Sequence, residues 1–287
     1  MKIGFIGAGK VGFTLGKYFT YNNMKIIGYY SRNVLSAQEA ATFTKSNYFK
    51  SINELIKLSD TIFITTPDIE IINIWESIKK LSIKNKIICH CSGSLSSEIF
   101  SNIEYYNSYG YSIHPMYAFN DKYNSYKNFN EATISIEGSM EKINELVSLF
   151  NNLGNNTKVI SKNDKSLYHL ASVYVSNYVF SLFKIAIDSL KICGFDDEEA
   201  FNSLYPLLLN NIKAIGENGI VKSLTGPIER GDTNTIKGHL SCLKDKEREL
   251  YKSLGEKLIG IAKLKNPERD YSEIIKLLGG GLWKILL

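Results

Sequence analysis

The sequence has few of the features that mark secreted, metal-binding or nucleic-acid-binding proteins. Its four cysteines form neither a C-x-x-C metal pattern nor the spacing of a disulfide framework. The 34 lysines and arginines are interspersed with 29 aspartates and glutamates, so no basic surface for nucleic acid is predicted. The N-terminus enters a strand at once, without a basic and apolar signal pattern. We therefore expect a cytoplasmic globular protein that holds no metal and binds no nucleic acid.

No long apolar run is free of polar side chains. The longest apolar stretch, 170–192, contains serine, asparagine, lysine and aspartate. A membrane-spanning helix needs about 20 predominantly apolar residues. We therefore expect no membrane segment in this chain, whose 287 residues are enough for one or two domains with a sizeable core.

The strongest signal lies in the first sixteen residues. Lys2–Ile6 is a short, mostly apolar run that predicts a strand, and a G-x-G-x-x-G hexapeptide and a helical pattern follow it directly. The first glycine permits a tight turn, the second lets the backbone approach a pyrophosphate, and the third lets the helix lie close to the strand. A glycine-rich turn without a ligand is the alternative. We interpret the hexapeptide as a dinucleotide site, with these cofactor-binding residues: Gly7, Ala8, Gly9, Lys10, Val11 and Gly12.

The pattern of elements predicts two domains. Strands alternate with helices over 1–161, which is typical of a doubly wound α/β Rossmann domain. From 162 to 192 the helical period continues without a break, and no strand pattern follows. Residues 162–287 are therefore predicted to form an all-helical domain for substrate binding and dimerisation, and we expect a homodimer. Three capping boxes predict helix starts: Ser36 with Glu39, Ser51 with Glu54, and Asp196 with Glu199.

The end of the second predicted strand indicates which cofactor is bound. An NAD site usually has a carboxylate there for the ribose 2′-hydroxyl, but this chain has Ser31 and Arg32. A guanidinium suits a 2′-phosphate, so we expect NADP; an exposed turn arginine without a role is the alternative. Further cofactor contacts are expected where the next strands of the sheet end, at Thr65, Thr66, Pro67 and Ser92.

Histidines and one helix face carry the candidate chemistry. His114 precedes Pro115 at a strand end, where a doubly wound domain delivers side chains into its cleft. His90 lies inside a buried strand and is interpreted as a core residue. On the long helix, polar residues run roughly along one face, as a catalytic or substrate-facing row or as interhelical hydrogen bonds. This row comprises Lys165, His169, Ser172, Ser176 and Asn177.

A loop between helices supplies the remaining substrate candidates. Residues 224–232 contain two glycines, one proline and three charges. Arg230 is a candidate carboxylate clamp, with Thr225 beside it in the loop. Asp232 either orients Arg230 or simply caps the helix that begins at Thr233.

A series of motifs, taken together, resembles the Rossmann-like NADP oxidoreductases with a DUF2520 C-terminal domain. The resemblance covers essentially the whole chain. Proteins of this family are similar in turn to pyrroline-5-carboxylate reductase and the 6-phosphogluconate-dehydrogenase-like superfamily. The motifs, in chain order, are Gly7–Gly12, Ser31-Arg32, Thr66-Pro67-Asp68, His90-Cys91-Ser92-Gly93, His114-Pro115, Tyr168-His169, Ser176-Asn177 and Leu224-Thr225-Gly226-Pro227 followed by Arg230-Gly231-Asp232.

The resemblance implies an oxidoreductase, and some members resemble an alternative ketopantoate reductase of pantothenate biosynthesis. We therefore expect NADPH-dependent reduction of a small 2-oxo acid, with His169 or Lys165 as proton donor. Asn177 would orient the substrate and Arg230 would hold its carboxylate. The His114-Pro115-Met116 run also resembles prephenate dehydrogenases. Pyrroline-5-carboxylate reductase-like or prephenate dehydrogenase-like activity and a non-catalytic NADP-binding sensor are the alternatives.

Overall fold

The structure, a computed structural model, describes residues 1–279. The chain divides into two compact units, with the division between Ser181 and Leu182. The predicted boundary at 161/162 therefore falls inside the first unit, ahead of a helix that belongs to it.

An eight-stranded sheet forms the centre of the first unit, in the order β3-β2-β1-β4-β5-β6-β7-β8. All neighbouring strands are parallel except β6 and β7, which are antiparallel. The strand order reverses direction at β1, which is where doubly wound sheets open a ligand crevice at their carboxyl edge. The strands are β1 Lys2–Ile6, β2 Lys25–Tyr30, β3 Asn47–Phe49, β4 Thr61–Ile64, β5 Ile87–His90, β6 Tyr109–Met116, β7 Thr133–Gly138 and β8 Asn156–Val159.

Helices cover both faces of this sheet. Every residue of β4 is buried, because Phe63 joins the core on one face while Ile62 and Ile64 join the core on the other. A strand buried on both faces is typical of parallel sheets, so the predicted doubly wound fold is confirmed. The helices are α1 Lys10–Tyr21, α2 Val34–Thr44, α3 Ile52–Leu58, α4 Asp68–Ile78, α5 Ile143–Asn152, α6 Lys165–Ser176 and α7 Tyr178–Ile192, which crosses into the second unit.

The second unit is helical throughout its described part, 182–279, as predicted. Its small core centres on Ile236, Ile259 and Tyr271. Pro206 lies inside its longest helix, which begins at the predicted capping box of Asp196 and Glu199. Its further helices are α8 Asp197–Asn218, α9 Ile220–Ser223, α10 Pro227–Arg230, α11 Thr233–Cys242, α12 Asp245–Lys265 and α13 Ser272–Leu278.

Two local predictions are wrong. The capping box at Ser36 does not begin a helix, because α2 begins two residues earlier and Asn33 Oδ1 accepts from the backbone N–H groups of Leu35 and Ser36. The predicted unbroken helix is interrupted at Asn177, between α6 and α7.

The stretch Lys162–Ile192 is apolar as well as helical. By length and composition it could cross a membrane: its most apolar window has a mean hydropathy of 1.4, and none of that window is buried. The polar residues in it therefore do not by themselves exclude a membrane segment, contrary to the expectation from the sequence.

Candidate functional site

The glycine turn after β1 is shaped by contacts with the end of β4. Gly7 has φ +109°, a conformation that side chains disfavour, and a Cβ there would lie 2.9 Å from the Thr65 backbone. A Cβ on Gly12 would collide with Thr65 Oγ1 and lie 2.7 Å from the Gly7 carbonyl oxygen. Thr65 Oγ1 itself donates to that carbonyl at 3.0 Å. Thr65, predicted as a cofactor contact, therefore holds the turn closed.

Gly9 differs from the other two glycines. An added Cβ would meet no atom of residues 1–279 within 4 Å, so packing within the described chain does not require glycine there. Gly9 precedes α1, whose start has no side-chain cap and no acidic residue in its first turn. Open backbone N–H groups at a helix N-terminus, beside empty space, fit a pyrophosphate. Ala8 and Val11 are half-buried beside Gly9, and Lys10 is exposed.

Arg32 lies at the predicted place after β2. Its guanidinium is largely exposed, and Nη1 lies 3.1 Å from Oε1 of Glu70 in the first turn of α4. Ser31 beside it is half-buried. An exposed arginine at this strand end suits a 2′-phosphate, although it already has a carboxylate partner.

A hydroxyl network joins the loops that follow β4 and β5. Asp68 Oδ2 accepts from Ser92 Oγ at 2.7 Å and from Ser94 Oγ at 3.1 Å. Ser92 Oγ in turn accepts from the backbone N–H of Leu95 at 3.0 Å. Thr66 Oγ1, in the same crevice, is buried without a hydrogen-bond partner in residues 1–279. A buried hydroxyl without a partner fits a ligand that would satisfy it.

Lys165, at the start of α6, is buried against the sheet. Its Nζ donates to the Ser92 carbonyl at 3.1 Å and to Ser112 Oγ at 2.8 Å. Burial lowers the pKa of Lys165 to about 8, and the carboxylate of Glu137, buried on β7, opposes that shift. An ammonium is thus fixed directly beneath the Ser92–Gly93 loop.

Two histidine rings meet at Gly93. A Cβ on Gly93 would collide with the His169 ring and lie 2.9 Å from His114 Nε2. The two rings are nearly perpendicular, with centroids 6.1 Å apart. Burial, followed by the charges of Lys165 and His169, lowers the pKa of His114 to about 4, so its imidazole is neutral at pH 7. We call Gly93, His114, His169 and the underlying Lys165 the Gly93 niche.

His90, by contrast, is a structural residue, as predicted. It is fully buried, its Nε2 lies 3.1 Å from the Ser96 carbonyl, and its Nδ1 accepts from the Ser92 N–H at 3.2 Å. Burial lowers its pKa to about 4. Its ring therefore shapes the loop that carries Ser92 and Gly93.

Two family models match the chain, over separate segments. Residues 2–92 match the family described as NADP oxidoreductase, coenzyme F420-dependent, and residues 132–258 match DUF2520, a domain of unknown function. The chain combines an NADP oxidoreductase domain with a DUF2520 domain. It is an NADP-dependent oxidoreductase, and its cofactor is NADP.

Solved structures share this fold. Protein TM1727 from Thermotoga maritima has a TM-score of 0.75 and 22% identity, over 92% of this chain and 99% of that one. A reductive aminase from Aspergillus terreus in complex with NADPH has a TM-score of 0.62 and 15% identity, over 96% and 98%. A pyrroline carboxylate reductase from Plasmodium falciparum with NADP bound has a TM-score of 0.57 and 17% identity, over 92% and 96%. No curated protein matches the sequence.

Within this oxidoreductase, the predicted polar row of α6 is only partly brought together. Lys165 and His169 reach the niche, and Ser172 Oγ is buried without a partner in the described chain. Ser176 and Asn177 lie exposed at the other end of the helix, roughly 12 Å beyond His169 at 1.5 Å per residue. There Ser176 Oγ hydrogen-bonds the Ser172 carbonyl and Asn177 Oδ1, each at 2.8 Å.

The predicted substrate loop belongs to the second unit. Asp232 caps α11: its Oδ1 accepts from the Thr235 N–H at 3.0 Å, and its Oδ2 accepts from Thr235 Oγ1 at 2.7 Å. Arg230 and Thr225 are exposed. The backbone N–H of Arg230 donates to the Gly226 carbonyl at 3.0 Å, and its guanidinium makes no hydrogen bond within 1–279. Glu229 anchors the loop, since its carbonyl accepts from the Tyr271 hydroxyl at 2.8 Å.

Sequence reasoning did not assign site roles to Asp68, Ser112, Glu137 and Tyr168. Asp68 follows Thr66-Pro67, so its place after a buried strand was a usable signal. Ser112 and Glu137 carry no such signal, because they come to the site only through pairing of β5, β6 and β7. In the described chain no group of three or more histidine, cysteine, aspartate or glutamate side chains could hold a metal.

Proposed function

We propose that the chain is an NADPH-dependent reductase of a small 2-oxo acid, most concretely 2-dehydropantoate, which it converts to pantoate. The observation that carries this proposal is the Gly93 niche, where a buried ammonium lies beneath two imidazoles. The niche is built at the carboxyl ends of β5 and β6, on the crevice side of a doubly wound sheet.

The residues of the niche suit carbonyl reduction. NADPH, when bound, supplies the hydride that the carbonyl carbon accepts. Negative charge then develops on the carbonyl oxygen, and the Lys165 ammonium stabilises that charge without moving. The oxygen finally takes a proton, which completes the hydroxyl group.

We assign the proton to His169. Lys165 already donates two of its three N–H groups to Ser92 and Ser112. His114 is neutral at pH 7, because burial holds its pKa near 4, so it donates a hydrogen bond rather than a proton. His169 lies against Gly93, and no hydrogen bond within residues 1–279 engages either of its ring nitrogens.

The substrate carboxylate is assigned to the loop of the second unit. Arg230 is exposed, and its planar guanidinium makes no hydrogen bond in the described part of the chain, so it is available for a bidentate carboxylate contact. Thr225, Asp232, Ser176 and Asn177 remain predicted contacts of the substrate, with Asp232 acting through its cap on α11.

The charge of Lys165 favours a ketone over an imine. Imine reduction proceeds through a protonated iminium, whose positive charge disappears as hydride arrives. A buried ammonium beside that carbon would oppose the iminium, whereas it favours the oxyanion of a ketone. The buried ammonium therefore favours 2-oxo acid reduction over the pyrroline-5-carboxylate and reductive aminase chemistries named for the structural neighbours.

A substrate panel at fixed NADPH tests this proposal. We expect NADPH absorbance to fall with 2-dehydropantoate and to stay constant with pyrroline-5-carboxylate, and prephenate with NADP⁺ to give no reaction. Turnover of the imine alone would assign the site to imine reduction. Tight NADPH binding without turnover of any substrate would identify a sensor and overturn the reductase.

We also propose that the protein is a cytoplasmic homodimer. Each of the helices α6, α7 and α8 exposes large apolar side chains, and exposed apolar surface favours a protein partner. Light scattering should give twice the chain mass, and Phe180→Glu should give the monomer. Recovery of the protein in the membrane fraction would contradict the cytoplasmic dimer and would identify Lys162–Ile192 as a membrane segment. The exposed residues include Val175, Tyr178, Phe180, Leu182, Ile192, Leu207, Leu209 and Ile212.

A further inference from the structure

Tyr168 contacts His114 from the helix that also carries Lys165 and His169. Its hydroxyl oxygen lies 3.2 Å from His114 Nδ1, and the two rings are perpendicular, with centroids 5.5 Å apart. Burial raises the pKa of Tyr168, and a side-chain hydrogen bond between the same hydroxyl and Ser135, which is fully buried on β7, partly opposes that rise. The phenol oxygen is therefore held on two sides, by a strand and by the imidazole.

The proton in the Tyr168–His114 contact belongs to the phenol. A phenol has a pKa of about 10, so it is a far better hydrogen-bond donor than the N–H of a neutral imidazole. The imidazole of His114 is neutral, because it is buried and faces cationic Lys165 as well as His169, with Asp68 and His90 as the other charged or titratable neighbours. A neutral imidazole has one acceptor nitrogen and one N–H. When Nδ1 accepts from Tyr168, the proton of His114 must lie on Nε2.

Nε2 is also the nitrogen that faces the niche. It would lie 2.9 Å from a Cβ on Gly93, so only glycine lets the imidazole lie this close to the loop. No hydrogen bond to Nε2 is found within residues 1–279. The N–H of His114 thus has no acceptor among the described residues, on the side where the substrate carbonyl is proposed to bind.

We propose that Tyr168 is a positioning residue that fixes His114 in the Nε2–H tautomer, so that this N–H donates to the substrate carbonyl oxygen at Gly93. His114 then orients and polarises the carbonyl while His169 supplies the proton. This inference rests on the proposed reductase function for its kinetic consequence, but the tautomer itself does not depend on any substrate.

The tautomer of His114 is tested directly by ¹⁵N NMR of the imidazole in the full-length protein with NADP bound. We expect the wild type to show protonation at Nε2, and Tyr168→Phe to show a mixture of both tautomers. Protonation at Nδ1 in the wild type would overturn the proposal, whatever the variant does. This measurement needs no turnover, so its failure is distinct from a failure to reduce 2-dehydropantoate.

The rate of 2-dehydropantoate reduction then tests the effect of this tautomer on catalysis. Tyr168→Phe should lower kcat for 2-dehydropantoate about 10- to 100-fold, with KM changed less than twofold, because the lost hydrogen bond acts in the transition state. Tyr174→Phe is the matched control: Tyr174 lies on the same helix, is exposed, and contacts Tyr178 rather than a histidine. An unchanged kcat in Tyr168→Phe, or an equal loss in Tyr174→Phe, would contradict the positioning role.

Discussion

Arg32 Nη1 and Glu70 Oε1 lie 3.1 Å apart, which joins the end of β2 to the first turn of α4 across the carboxyl edge of the sheet. In the sheet, β1 lies between β2 and β4, the strand that precedes α4, and β1 ends in the glycine turn. Glu70 therefore forms an ion pair with the guanidinium that the NADP 2′-phosphate is expected to bind. The two anions compete for one cation.

Replacing Arg32 should weaken binding of the phosphorylated cofactor selectively. A hydrogen bond to a charged group contributes about 1.5–3 kcal/mol, so Arg32→Ala should raise the Kd for NADPH by about tenfold or more. The Kd for NADH should change little. Calorimetry with 2′,5′-ADP and with 5′-AMP separates the contribution of the 2′-phosphate from that of the remaining nucleotide. If Arg32→Ala lost equal affinity for both fragments, the 2′-phosphate would not bind at Arg32.

Neutralising Glu70 should have the opposite effect. Exposed ion pairs contribute about 0.2–1 kcal/mol, so Glu70→Gln should tighten NADPH binding up to about fivefold. Glu76→Gln, on the same helix and paired with Lys79, is the control and should leave the Kd unchanged. Weaker NADPH binding in Glu70→Gln would mean that Glu70 holds Arg32 for the phosphate rather than competing with it.

Substitutions at Gly9 and Gly12 should differ in their effects on stability and on cofactor binding. Gly9→Ala should leave the melting temperature unchanged, because its Cβ meets no atom in the described part of the chain, but it should weaken NADPH binding. Gly12→Ala should destabilise the fold by about 1–3 kcal/mol, since its Cβ overpacks against Thr65 and the Gly7 carbonyl. Thermal unfolding and cofactor titration of both variants check this, and a Gly9→Ala protein that binds NADPH normally would place the pyrophosphate away from Gly9.

The pKa of Lys165 predicts the alkaline limit of activity. Burial lowers that pKa to about 8, so the ammonium is present below pH 8 and is lost as the pH rises through it. The same shift makes the folded state bind fewer protons than the unfolded state between about pH 8 and the ordinary lysine value, so stability should rise with pH in that window. We expect kcat/KM to fall above pH 8 in the wild type.

Lys165→Met supplies the control for this pH dependence. It removes the charge but keeps an unbranched side chain in the buried space between Ser92 and Ser112. Its kcat/KM should be at least about tenfold lower below pH 8, with the fall above pH 8 absent. An alkaline fall that persists in Lys165→Met would assign that titration to another group.

Local patterns were enough to predict the fold and the identity of the cofactor. The glycine turn, the strand ends at Arg32 and Thr66, and the Asp196 capping box each depend on a few consecutive residues. The Ser36 capping box was wrong because Asn33, also a good cap residue, offered an earlier start.

The chemistry of the niche could be predicted only in part. The helical period placed Lys165 and His169 on one face, but their contacts depend on where α6 packs. The burial of Lys165 follows from strand pairing that sets His90 beside Ser112, so that Ser112 Oγ donates to the Ser92 carbonyl at 3.3 Å. No spacing along the chain encodes that pairing, and the same holds for the contact of Tyr168 with His114.

The most direct test of the account is the rate of NADPH oxidation with 2-dehydropantoate, measured for the wild type and for His169→Ala. We expect NADPH loss to match pantoate formation in the wild type, and kcat to fall by roughly 10²–10⁴ in the variant, as for a lost general acid. A wild-type protein that binds NADPH but oxidises none, or a variant with unchanged kcat, would contradict the assignment of the Gly93 niche as the reducing site.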